Sequence, residues 1–278
     1  MAINNYQTGH LLLRPFRFLG RFLPSRVQTG EGPATAVPAA ASGRSLVPAI
    51  FLHIRKTGGT SIVRQALDHY GYQNVCNHGD YMGKRPDDLR RLPFVSGHFG
   101  FDYARTLLPG RFSFTFLRDP IERIISLYCF CRLQDPDEFP IYRAAATRDL
   151  EGFLRAADHD GLVRAYIWNS QVWCLAAGPG YVETLEAVAR PEALLTRALK
   201  NIERLSFVGL LETFDRDARL IMRALNMTAD ETIRKDNVTR DRIAVADLSS
   251  STMDRLRELT QWDRRLYDAV RERRLEGH

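Results

Sequence analysis

Three short apolar runs punctuate the first half of the chain: residues 50–54, residues 94–97 and residues 112–117. Each is too short for a helix of ordinary length, is rich in Phe, Ile, Leu or Val, and stops at a polar or glycine-bearing turn, which predicts buried strands. The first runs into Lys56, the second into His98 and the third into Arg118. Between them the period changes. Ile62, Val63, Ala66, Leu67 and Tyr70 recur at helical spacing, with Gly71 placed to end the helix. After Arg118, Asp119 suits an N-cap, Pro120 the first helical position, and Glu122 the reciprocal place of a capping box. Downstream, helices are predicted over about 149–158, 165–176, 181–189, 191–205, 213–227 and 250–275, with one more strand at 206–210. Met253, Leu256, Leu259, Leu266, Tyr267 and Val270 in the last helix read as core packing. Alternating strands and helices predict an α/β fold, a central parallel sheet flanked by helices, with a helix-rich C-terminal half. Ligands of such sheets bind beyond the carboxyl ends of the strands, so Lys56, His98 and Arg118 are expected to face one crevice.

The segment before the first strand has a different character. Residues 29–45 are rich in Gly, Ala, Pro and Ser, the composition of a flexible linker. Residues 11–23 mix Leu and Phe with Arg, but Pro15 and Gly20 interrupt any helix, and the run is far shorter than the ~20 apolar residues of a membrane span. Arginines break it as a secretory signal. Residues 1–47 are therefore read as tail and linker, residues 48–278 as one enzyme domain, and the expected location is cytoplasmic. Two readings of the tail stand side by side: a mobile segment, and a weak basic contact with a membrane surface through residues 11–23.

Composition narrows the classes. The 278 residues are 45% hydrophobic, enough for a substantial core, and no internal repeat is visible. Basic residues number 39 against 33 acidic ones, and only Lys56, Lys84, Lys200 and Lys235 are lysines. The charge is spread along helices, and neither a recognition helix nor an aromatic-basic platform accompanies it, so nucleic acid is not expected as a partner. Cys76, Cys129, Cys131 and Cys174 lack metal-like or redox C-x-x-C spacing and read as free thiols. No cluster of His, Cys or carboxylate ligands is evident, and no metal is expected.

The chemistry lies in two strand-to-helix turns. Lys56-Thr57-Gly58-Gly59-Thr60-Ser61 opens the first helix, whose leading N–H groups have no intrahelical partner and carry the positive end of its dipole. Such a turn suits phosphate or sulfate: glycines for close backbone approach, hydroxyls as donors and Lys56 as a mobile charge. Its lysine precedes the glycines, so it is no Walker A loop, and an ordinary ATPase or GTPase is disfavoured. In the second turn Arg118 ends the strand and Ser126 stands about two turns into the helix, where a guanidinium and a hydroxyl can share a phosphate. Arg118 has the structural alternative of pairing with Asp119 or Glu122. His53, inside an apolar strand, reads as core, and His78 lies in a polar loop. Trp168 and Trp173 are read as packing residues first and as walls of an acceptor groove second.

Taken together, His53-Ile54-Arg55-Lys56-Thr57-Gly58-Gly59-Thr60-Ser61 and Leu117-Arg118-Asp119-Pro120 through Ser126-Leu127-Tyr128 resemble the two donor-binding motifs of PAPS-dependent sulfotransferases, the group that includes glycan O-sulfotransferases such as the heparan sulfate 2-O and 6-O enzymes. Weaker similarity continues through Asn169-Ser170-Gln171, residues 207–214, residues 237–239 and Leu266-Tyr267. The resemblance implies a P-loop-like three-layer α/β fold, PAPS as co-substrate and a carbohydrate hydroxyl as acceptor. It assigns Arg55, Lys56, Thr57, Gly58, Gly59, Thr60 and Ser61 to the 5′-phosphosulfate, and Arg118 and Ser126 to the 3′-phosphate. It also places a closing loop at Arg234 and Lys235. The expected catalytic pair is Lys56, which stabilises the departing phosphate, and His98, the general base, whose other reading is a structural histidine satisfied by backbone. Two departures stand out: Arg55 where many relatives have proline, and Ser96 where some animal glycan enzymes carry a second histidine. A nucleotide-dependent kinase with an atypical phosphate loop is the alternative activity.

Overall fold

The computed structural model describes residues 46–177, 190–227 and 243–276. The tail before residue 46, the helix expected over 181–189, and Arg234 and Lys235 lie outside them. Five parallel strands form one sheet: β1 (Ala49–Leu52), β2 (Val75–Cys76), β3 (Phe94–Gly97), β4 (Phe112–Leu117) and β5 (Phe207–Leu210), in the order β2-β3-β1-β4-β5. The two-residue β2 is too brief to register in a periodicity argument.

Strand β1 is buried along its whole length, as a central strand with helices on both faces must be. Its alternating side chains divide between two cores. Ala49 and Phe51, with Phe94, Phe114 and Phe116, pack against α1 (Gly59–Tyr70) and the helix Phe214–Ala224. Ile50 and Leu52 face the other way, onto the helices Ser170–Ala176, Pro191–Ile202 and Gln261–Glu276. Three layers result, as expected. A third cluster is built from helices and joins α3 (Pro120–Arg132), the helix that follows the short α2 (Phe101–Ala104), to the helices Pro140–Ala146, Leu150–Ala156, Gly161–Ile167 and Ser250–Leu259. Among the described residues no helix is long and apolar enough to cross a membrane.

Two predicted helices are each broken in two, and one residue is responsible for both breaks. Asn169 adopts a left-handed conformation (φ 41°) between the helices ending at Ile167 and starting at Ser170. Its Oδ1 accepts from the backbone N–H groups of Trp262 (2.8 Å) and Asp263 (3.1 Å), where the second break falls after Leu259. The expected capping box of α3 is also corrected. Asp119 caps the helix through Ile121 and Glu122 N–H (3.0 and 3.1 Å), but its own N–H donates to Glu212 (2.8 Å), because Glu122 is drawn to Arg118 instead.

Candidate active site

Register places the functional side chains together. Leu52 of β1 pairs with Gly97 of β3 and with Thr115 of β4, so the chains leave the sheet side by side. His53 N–H continues the ladder to Gly97 carbonyl (3.1 Å). His53 and His98 consequently stand next to each other, ring centroids 4.4 Å apart.

The first turn is shaped by two residues with positive φ, Lys56 (68°) and Gly58 (84°). For Gly58 that conformation is intrinsic; for Lys56 it is strain of the kind found at ligand clamps. Helix α1 begins immediately after, without a side-chain cap and with no acidic residue in its first turn, so nothing from within that turn neutralises the dipole. The two glycines do different jobs. A Cβ on Gly58 would meet Leu211 at 2.7 Å, whereas one on Gly59 would fall 2.1 Å from Nε2 of His53. Gly59 is thus small to make room for an imidazole, a demand in addition to the close ligand approach expected of it. Thr57 is buried and its hydroxyl donates to the Ile54 carbonyl (2.8 Å), turning that proton inward instead of toward an anion.

Lys56 and Arg118 meet across the crevice: Arg118 donates to the Lys56 carbonyl (3.1 Å). The Lys56 ammonium lies over the Phe130 ring, 3.8 Å from its centroid. Burial pushes its pKa down to about 8. Arg118 also approaches Glu122 at 3.7 Å, the pairing anticipated as its structural alternative. Its backbone is held by Gln171, which belongs to the weaker similarity at residues 169–171. The Gln171 side chain accepts from Arg118 N–H and donates to Arg118 carbonyl, both at 3.0 Å, as a backbone strand would. Ser126 is buried two turns along α3. Thr60 and Ser61 occupy the first turn of α1, Ser61 buried.

His98 Nδ1 lies 2.7 Å from the backbone carbonyl of His53. A carbonyl only accepts, so Nδ1 carries the proton and the ring's lone pair is on Nε2. Burial, and then the charge of Arg55, hold its pKa well below the ordinary 6.5. His53 is depressed likewise, by burial first and by the neighbouring imidazoles after that. His78 enters the same group: its Nδ1 is 3.2 Å from Nδ1 of His53, and its carbonyl accepts from His98 N–H (3.4 Å). The three histidines present one nitrogen each within 4.8 Å of one another, which overturns the expectation that no clustered ligand set exists. Sequence could not show it, because His53, His78 and His98 come from three segments joined only by the sheet.

A cavity of about 20 Å³, room for a single water, opens beside them and is lined by His53, His98, Arg55, Arg123, Ser170 and Trp173 among others. Arg55 stacks on Tyr166 (4.9 Å to the ring centroid) and so borders the histidines. Trp173 is buried and helps to wall the cavity, whereas Trp168 packs on the third cluster. All four cysteines are free and buried.

Comparison with known proteins bears on this geometry. The profile of the sulfotransferase family matches residues 48–268. The chain belongs to that family. Heparan-sulfate 6-O-sulfotransferase 1-B of Danio rerio is 24% identical over 265 residues, 80% of this chain and 65% of the relative. Heparan-sulfate 6-O-sulfotransferase 1-A of the same species is 24% identical over 264 residues, 80% of this chain and 63% of the relative. The chain therefore spans somewhat less than two thirds of the length of these relatives. The resemblance read from the two strand-to-helix turns is the family the whole domain displays.

Proposed function

We propose that this chain moves a sulfuryl group from PAPS to a hydroxyl of a carbohydrate acceptor. The observation that carries the reading is the convergence of Lys56, Arg118 and His98 at the ends of three adjacent parallel strands, around an uncapped helix N-terminus. Membership of the sulfotransferase family and the names of the relatives support it.

The residues suit a doubly phosphorylated nucleotide. The left-handed turn at Gly58 and the first N–H groups of α1 make an anion cradle, Lys56 a charge beside it, and Arg118 a second cationic hold. Lys56 with the backbone of residues 58–61 would hold the 5′-phosphosulfate, and Arg118 with Ser126 the 3′-phosphate; Arg234 and Lys235, outside the described residues, are assigned to the nucleotide by the resemblance alone. His98 Nε2 takes the proton of the acceptor hydroxyl as that oxygen bonds to sulfur. The bond from sulfur to the phosphate oxygen breaks, and its electron pair leaves on that oxygen, where Lys56 neutralises the growing charge. The products are the sulfated acceptor and PAP.

Calorimetry with PAP, followed by turnover of labelled PAPS on a panel of oligosaccharides, tests this. Lys56→Ala is expected to lose both PAP affinity and turnover. His98→Ala is expected to bind PAP as the unmodified chain does while turnover falls about 10²- to 10⁴-fold. Absence of heat on titrating PAP into the folded chain overturns the reading. Full turnover in His98→Ala overturns the base assignment alone.

A further inference from the structure

The three-histidine cluster offers more than a base. We infer that His53, His78 and His98 together bind a late first-row divalent cation such as Zn²⁺, and that the bound cation silences the site by occupying His98. Imidazole nitrogens are the ligands such cations prefer, and three of them with an open position form a common site for zinc.

The geometry supports each requirement. One nitrogen from each ring lies within 4.8 Å of the others, and Nδ1 of His53 and Nδ1 of His78 are already 3.2 Å apart. Two ligands of a tetrahedral ion with metal–nitrogen bonds of about 2.05 Å stand about 3.3 Å from each other, so the spacing of this pair already matches a shared ion. His98 is oriented as metal-bound histidines generally are, its second nitrogen donating to a backbone carbonyl, here that of His53 at 2.7 Å. His78 belongs to a turn in which its own φ is +29°, a conformation costly for a non-glycine residue and maintained while its ring faces His53. Room for a fourth ligand exists in the cavity of about 20 Å³ that His53 and His98 line, enough for one water or hydroxide. Arg55, which also lines it, favours an anion in that place.

Binding replaces the proton shared by the two Nδ1 atoms; that proton moves to the other nitrogen of its ring or to solvent. The lone pair of His98 Nε2 goes to the metal and is no longer available to a hydroxyl. This second half of the inference rests on His98 being the base; the metal site itself does not.

The test uses the full chain after EDTA treatment and dialysis. Co²⁺ is added and followed by visible absorption, and Zn²⁺ binding is measured by calorimetry. One equivalent of metal is expected, with the spectrum of nitrogen and oxygen ligands and without the intense sulfur charge-transfer band that the cysteines would give. His78→Ala, checked by thermal melting and PAP titration, is expected to weaken Zn²⁺ by about 100-fold or more, beyond what loss of a supporting contact causes. Zinc should inhibit turnover of the unmodified chain and spare His78→Ala. Lack of metal binding, or equal binding by His78→Ala, overturns the site. Binding that leaves turnover intact overturns the silencing. Metal binding in a chain that takes up no PAP leaves the site standing and removes the sulfotransferase reading.

Discussion

His98 owes its tautomer to one backbone carbonyl and its low basicity to burial. A pKa well below 6.5 keeps the imidazole neutral at pH 7, so its acid limb in kcat/KM is expected below 6.5. Lys56 is expected to set the opposite limb, because its cation fades as pH rises through about 8. A bound donor anion strengthens that cation, so the alkaline limb of kcat is expected at higher pH than that of kcat/KM. Identical alkaline limbs in the two profiles would remove Lys56 from contact with the donor. These residues were readable because each is a polar or charged group that follows an apolar strand, beside glycines. His78 was not, since nothing local distinguishes a loop histidine that meets His53 25 residues away. The job of Gly59 was legible only in part, for a glycine does not announce which neighbour fills the space it leaves.

At the scale of elements, β1, β3 and β4 were visible as apolar runs, and the start of α3 was visible in Asp119 and Pro120. What escaped depends on tertiary partners. The helix periodicity across residues 165–176 is real, yet Asn169 abandons it to cap the helix that begins at Gln261. Gln171 shows the same logic: placed on a helix and within the weaker similarity at residues 169–171, it is fully buried and grips both backbone polar groups of Arg118. Gln171→Ala would leave that N–H and carbonyl without their partner, at a cost of about 1–3 kcal/mol in unfolding free energy. Because Arg118 would then lose its fixed position, PAP affinity is expected to fall with stability. Unchanged PAP binding in a destabilised Gln171→Ala would show that the grip is purely structural.

Across the whole molecule, the C-terminal helix is tied to the sheet by Arg274, which reaches the fully buried Asp217 (2.5 Å from Nη1 to Oδ2) and the Val208 carbonyl (3.3 Å). Arg274→Ala takes one cationic partner from a buried carboxylate that keeps the Leu210 N–H (2.9 Å), the Thr213 hydroxyl (2.8 Å) and Arg216 (3.4 Å), and is expected to cost about 1–3 kcal/mol in chemical denaturation. Acidification has a calculable sign. His53, His78 and His98 are all depressed in the folded chain, so below 6.5 the unfolded chain takes up more protons and stability falls with pH. Asp263, raised to about 6 by burial, works the other way over lower pH, whereas the depressed His69 and Asp217 add to the loss. The melting temperature should drop on going from about pH 7 to about pH 5, less steeply in His78→Ala; a flat profile would contradict the burial of the cluster.

The imidazole of His53 occupies the place where a methyl at residue 59 would go, 2.1 Å from it. Bulk at these two positions is therefore a shared quantity. Gly59→Ala alone should be poorly tolerated, while Gly59→Ala combined with His53→Ala should recover folding by trading volume, and the double variant would still keep the residue-53 carbonyl that orients His98. The order of change is therefore set by volume: residue 53 has to shrink before residue 59 can grow.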